Sequence, residues 1–148
     1  MSEFSITSSD FKEGEEIPKK FGYKHGNETP NTYFNSVPTG TKGVALIMDD
    51  PDAMKAVGKV WVHYLMCGGW AEDADYDDRD EMILGKTDFG EIGYGGPAPP
   101  DGRHTYIFKG YALDTQLDLK EGFSKQELEN AMQGHILGKA KLTGTFAP

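Results

Sequence analysis

From Gly43 to Met48 the chain runs apolar without interruption, Gly43-Val44-Ala45-Leu46-Ile47-Met48, and then breaks into Asp49-Asp50-Pro51-Asp52. A short continuous run of this kind predicts a buried strand that stops at a polar rim. Val60 to Cys67 is dense in β-branched and aromatic residues, and a period of two places Trp61, His63, Leu65 and Cys67 on one face. A third strand is predicted from His104 to Leu113, with His104, Tyr106 and Phe108 facing one way and Thr105, Ile107 and Lys109 the other. The pattern changes period only once. Ser124 and Glu127 have the spacing of a capping box, and Leu128, Ala131, Met132, His135 and Ile136 follow the i, i+3, i+4, i+7, i+8 stripe of an amphipathic helix. That helix is expected over about 124–137, ending near Gly138, with Leu142–Phe146 as a last short strand.

Between these elements the chain is polar. Phe4 to Tyr33 contains short alternating pieces and turn signals such as His25-Gly26-Asn27, and reads as edge strands and loops. Glu72 to Glu81 carries seven acidic side chains against Arg79 alone, the composition of a solvated surface loop. Gly93-Tyr94-Gly95-Gly96-Pro97-Ala98-Pro99-Pro100-Asp101-Gly102 suits neither a helix nor a central strand, so it is expected to be a loop leading into the strand at His104. No repeat or linker divides the chain. The fold class is mainly β with one packed helix, in a single domain over 1–148.

Charge then narrows the partners. With 24 acidic and 15 basic side chains the formal charge is −9, which repels nucleic-acid backbones and anionic membrane surfaces; an anion site must be local. The one cysteine, Cys67, excludes an internal disulfide and a thiol-rich metal site, and suits a reducing compartment. It is expected to be a buried small hydrophobe. The start Met1-Ser2-Glu3-Phe4-Ser5 lacks a basic, apolar leader, and no apolar run reaches the roughly 20 residues of a membrane span, so a soluble cytoplasmic protein is expected. Glycine, 19 of 148 residues against an average near ~7%, signals many turns and close backbone approaches.

Three separated segments place polar groups where the surrounding pattern is apolar or Gly/Pro-rich: Asp50 and Asp52, then His63, then His104 and Tyr106. Singly each is weak, since a lone histidine on an apolar strand face is more often a hydrogen-bonded core residue, and Asp-Pro-Asp is usually a turn. Jointly they suggest more. A carboxylate beside an imidazole fixes its tautomer and raises its pKa, so two such histidines could hold one phosphate as cations, with a tyrosine hydroxyl as a neutral donor. His135, on the helix stripe, is expected to be packed or hydrogen-bonded, and His25 to sit in a surface turn.

The segments Asp50-Pro51-Asp52-Ala53, Trp61-Val62-His63, Gly93 to Pro100 and His104-Thr105-Tyr106, together with the closing Leu142 to Phe146, resemble the signatures of the phosphatidylethanolamine-binding proteins. Their order and spacing are most similar to the short bacterial and archaeal branch, the Raf kinase inhibitor-like proteins. The resemblance covers nearly the whole chain. It implies a large central antiparallel sheet packed on a smaller one, few helices, and a cavity near one edge that binds phosphate, acetate, phosphorylethanolamine and similar anions.

Carried onto matching positions, the resemblance implies that Asp50, Asp52, His63, His104 and Tyr106 line the pocket. The backbone around Ala98 and the rings of Pro99 and Pro100 would form its wall, with Trp61 packed beneath. The chain departs from the pattern at Met54, where many relatives carry a proline, and in its short link from Pro100 to His104. The C-terminal extension of the eukaryotic members is not matched, and their kinase-regulating role is not carried over. A non-enzymatic binder is therefore expected, with no cofactor, no metal and no stable membrane insertion, and with a homodimer as the assembly the resemblance suggests. A serine protease inhibitor is the second reading. A phosphoester hydrolase using Asp50, His63 and His104 as acid and base, or as metal ligands, is the third.

Overall fold

The computed structural model describes residues 3–71 and 82–148. The acidic run from 72 to 81, expected to be a surface loop, lies outside the described residues. Among the described residues seven strands run in chain order: β1 (Ser5–Thr7), β2 (Tyr33–Asn35), β3 (Gly43–Asp50), β4 (Trp61–Gly69), β5 (Ile83–Leu84), β6 (His104–Leu113) and β7 (Ile136–Phe146). Among the described residues two α-helices join them, α1 (Ala53–Val57) after β3 and α2 (Lys125–Met132) before β7, with a short 3-10 helix at Lys19–Phe21 between β1 and β2. β1 and β2 form a small antiparallel sheet, and the other five form one antiparallel sheet in the order β5-β4-β3-β6-β7.

The continuous apolar run becomes the central strand because only a strand covered on both faces can bury every side chain, and all eight residues of β3 are buried. Val44, Leu46 and Met48 meet Tyr106 and Phe108 on one face, under Ile17, Phe21 and Phe34 of the N-terminal part and small sheet. Ala45 and Ile47 point the other way, with Leu65 and Cys67, under Leu128 and Met132 of α2. Each such large side chain contributes about 1.5–3 kcal/mol by leaving water, so the sheet is held from both sides. β6 alternates as its pattern requires, with His104, Tyr106 and Phe108 buried on one face.

The expected helix over 124–137 is shorter, and the last strand longer, than the sequence suggested. Ser124 and Glu127 do form the reciprocal capping box, but α2 ends at Met132, followed by Gly134 with φ 81°, a left-handed position that stops a helix. His135 and Ile136 match the helical stripe by spacing alone. Ile136 opens an eleven-residue β7, and His135 hydrogen-bonds Asp114 (Nδ1 to Oδ1, 2.7 Å) at a half-exposed position.

β4 also departs from its simple alternation. Met48 pairs with Tyr64 but Asp49 pairs with Val62, so His63 is the extra residue of a β-bulge. The bulge changes the phase of the strand. Val62, not His63, shares the face of Leu65 and Cys67, while His63 turns to the opposite face and meets Tyr106, ring centroids 5.1 Å apart. The expected grouping of His63 with Leu65 and Cys67 is thereby overturned, because an inserted residue resets a period of two.

Candidate functional site

β3 and β6 run side by side, which brings Asp50 and His104 to one end of the sheet although 54 positions separate them. The His104 ring is held at both nitrogens: Nδ1 lies 2.7 Å from Asp50 Oδ2 and Nε2 lies 2.6 Å from Asp101 Oδ1. Carboxylates only accept, so this arrangement is satisfied by an imidazolium donating twice. Burial, the largest influence, pulls the His104 pKa down, but the hydrogen bonds and charges of Asp50 and Asp101 outweigh it and the net shift is upward.

His63 is set the other way. Its Nδ1 lies 2.7 Å from the Gly95 carbonyl oxygen, which accepts a proton but brings no full charge. Burial dominates and lowers its pKa despite the Gly95 carbonyl and the more distant Asp50. The ring is therefore neutral near pH 7, with its proton on Nδ1 and a lone pair on Nε2. The expectation of two cationic histidines gives way to one cation and one neutral acceptor, because only His104 has carboxylate partners.

The Gly/Pro-rich loop that meets His63 is fixed at many points. Gly95 N–H donates to the His63 carbonyl (2.8 Å), Gly96 N–H to Asn27 Oδ1 (2.7 Å), and Tyr23 N–H to the Pro97 carbonyl (3.0 Å). Gly96 has to be glycine: a Cβ there would fall 2.0 Å from the Phe21 carbonyl oxygen. The loop is a rigid wall, in keeping with a site whose ordering cost is met on folding.

These elements enclose a cavity of about 190 Å³ lined by Asp50, Ala53, Ala56, Val57, Trp61, His63, Phe89, Ala98, Pro100 and His104. Tyr106 lies beneath the two histidines, fully buried. Its hydroxyl approaches Asp50 and the Ala98 backbone without good hydrogen-bond geometry to either, and among the described residues the buried indole N–H of Trp61 has no partner. Burial first, then the Asp50 charge, pushes the Tyr106 pKa up, so its hydroxyl keeps its proton and remains a donor. Buried donors are nearly always paired in native proteins, so these two, one lining the cavity and one packed against its histidines, point to a ligand or solvent that satisfies them.

Comparison with known proteins agrees with this geometry. A sequence profile of the phosphatidylethanolamine-binding protein family matches residues 7–147. The chain belongs to the phosphatidylethanolamine-binding protein family. Relatives include the UPF0098 proteins of Methanothermobacter thermautotrophicus, 40% identical over 92% of this chain and 93% of that one, and of Chlamydia muridarum, 38% identical over 95% and 97%. Among solved structures it is similar to a putative phosphatidylethanolamine-binding protein homologue from Chlamydia trachomatis (TM-score 0.83, 35% identity, 98% and 97% of the two chains). It is also similar to YbcL of E. coli, described as a member of the mammalian family (TM-score 0.84, 29% identity, 98% of each).

As a phosphatidylethanolamine-binding family chain, it shows which of the expected positions the fold gathers. Asp50, His63, Ala98, Pro100 and His104 line the cavity and Tyr106 underlies it. Asp52 and Pro99 do not line it. The exposed Asp52 carboxylate instead accepts from Thr105 N–H (2.8 Å), tying the start of β6 to the turn after β3, and Pro99 is buried in the loop. Asp52 thus serves the turn, as an Asp-Pro-Asp segment usually does.

Sequence reasoning missed Asp101, Phe89 and the α1 residues Ala53, Ala56 and Val57. Asp101, three residues before His104 in a loop, had a readable signal: a second carboxylate within reach of the same imidazole. Phe89 had none. Trp61, expected to pack beneath the site, lines it. Among the described residues no three His, Cys, Asp or Glu side chains converge as a metal site, and no helix is long and apolar enough to cross a membrane.

Proposed function

We propose that this chain is a binding protein whose pocket captures a small anionic group that carries one negative charge and a hydrogen of its own, such as a protonated phosphate monoester. The observation that carries this reading is the pair of buried donors without a well-formed bond among the described residues, Trp61 N–H lining the cavity and Tyr106 O–H against its two histidines, the cationic His104 and the neutral His63. Donors suit the oxygens of an oxyanion, and the His63 Nε2 lone pair suits a P–OH group. Asp50 and Asp101 flank the single cation, which disfavours a dianion through like-charge repulsion. Ala53, Ala56, Val57 and Phe89 give the cavity apolar walls for the organic part of such a ligand.

The test is isothermal titration with phosphate and phosphorylethanolamine at mildly acidic and alkaline pH, comparing the wild type with His104→Gln. Saturable binding that weakens as pH rises, and that the substitution weakens by about 1–3 kcal/mol, is expected for charge-assisted hydrogen bonds. Absence of binding at every pH would move the function to protein partners, with serine protease inhibition tested next.

A further inference from the structure

His104 lines the proposed anion pocket, and both of its ring nitrogens are already taken by the protein's own carboxylates. His104 is buried, and its two carboxylate partners are not equivalent. Asp50 is 4% exposed and locked in place, since its Oδ1 also accepts the Asp52 N–H at 3.0 Å. Asp101 is 50% exposed, and its carboxylate makes one hydrogen bond among the described residues, the 2.6 Å contact to His104 Nε2. It stands at the end of the Gly/Pro loop, beside Gly102, whose φ of 156° lies in the region that favours glycine.

We propose that Asp101 is a tethered internal ligand: its carboxylate occupies the His104 Nε2 position that an incoming anion takes, and it leaves when the pocket loads. The proposal rests on the anion-binding reading above. A carboxylate is chemically the same kind of acceptor as acetate or one edge of a phosphate, and a tether gives it a high effective concentration at its target. Asp50 cannot yield, because it would leave a buried imidazolium for no solvent. Asp101 can, because it is already half in water and swings out without burying or desolvating charge.

Two consequences follow for what binds. With Asp101 in place, one imidazolium faces two carboxylates and an arriving anion meets net negative charge; with Asp101 displaced, the anion replaces it one for one. The apparent affinity is then the intrinsic affinity reduced by the fraction of molecules in which Nε2 is free. Weak acceptors fail to compete, so Asp101 sets a threshold that excludes anions no better than a carboxylate.

Calorimetric titration with sodium acetate and with inorganic phosphate, at fixed ionic strength, tests this with the wild type, Asp101→Ala, and Glu91→Gln as a charge control. Glu91 is exposed and its carboxylate accepts from the Tyr23 hydroxyl, while His104 Nε2 is held by Asp101, so its loss removes an equal charge without freeing Nε2. Asp101→Ala is expected to bind both ions about fivefold tighter or more, as removal of an internal competitor requires, with Glu91→Gln changing affinity less than about twofold. In Asp101→Ala, acetate should restore the His104 Nε2–H proton resonance of the unliganded wild type.

Wild-type binding with no gain in Asp101→Ala, or an equal gain in Glu91→Gln, would overturn the role of Asp101 and leave the binding reading standing. Binding by neither the wild type nor Asp101→Ala, both folded by circular dichroism, would overturn both. If the alanine variant does not fold, Asp101→Ser, whose shorter side chain does not reach Nε2, carries the same comparison.

Discussion

Tyr106→Phe separates stability from binding, because the hydroxyl it removes is buried, protonated and makes no well-formed hydrogen bond to the described residues. An unsatisfied buried hydroxyl costs about 1–3 kcal/mol relative to its hydrated state, and the substitution also leaves a small void that forfeits some packing. The net expectation is a gain of about 1 kcal/mol, which for a domain of this size raises Tm by roughly 2–4 °C. With ligand bound the sign reverses, since the variant lacks a donor worth about 0.5–1.5 kcal/mol, or roughly two- to tenfold in Kd. Thermal unfolding without ligand and titration with phosphate read the two halves separately. A variant less stable than the wild type by more than about 1 kcal/mol would show that the hydroxyl is satisfied in the free protein. Unchanged affinity would show that it does not meet the ligand.

The two site histidines should bend the pH profile of stability in opposite directions about their common unfolded value of 6.5. His104 has its folded pKa raised, so its contribution is fully present below 6.5 and is lost as pH rises through the folded value; His63 has its folded pKa lowered, so stability falls as pH drops below 6.5. Denaturant titrations should lose the alkaline limb in His104→Gln and the acid limb in His63→Gln. His104→Ala should lower stability by roughly 3 kcal/mol, because it strands the buried Asp50 carboxylate. The Cys67 thiol, buried and pushed up to about 11 by desolvation, should resist a thiol reagent in the folded protein and react at once in denaturant.

Much of this fold was legible because it depends on periods that neighbouring residues enforce. β3 declared itself by an unbroken apolar run, β6 by alternation, and the start of α2 by a capping box whose two hydrogen bonds are both present. What failed were breaks in period. The bulge at His63 and the left-handed turn at Gly134 each reset the phase of the pattern, and α1, at five residues, is too short to show one. The site followed the same logic. Asp50, His63, His104 and Tyr106 stood out as polar groups in apolar strands, whereas the opposite protonation of the two histidines depends on which partner each meets across the sheet, Asp50 with Asp101 for one and the Gly95 carbonyl for the other.

The central claim, that a small anion enters this pocket and satisfies its orphaned donors, is tested most directly by an NMR titration with inorganic phosphate that follows the two tryptophan indole N–H signals. Trp61 lines the cavity with its N–H unpartnered among the described residues, while Trp70, partly buried, packs edge-on to Phe34 of the small sheet. The account predicts a saturable downfield shift of the Trp61 indole signal as it gains a charged acceptor, with Trp70 unmoved. A Trp61 signal that stays in place while phosphate binds elsewhere, or that does not respond at any concentration, would contradict it.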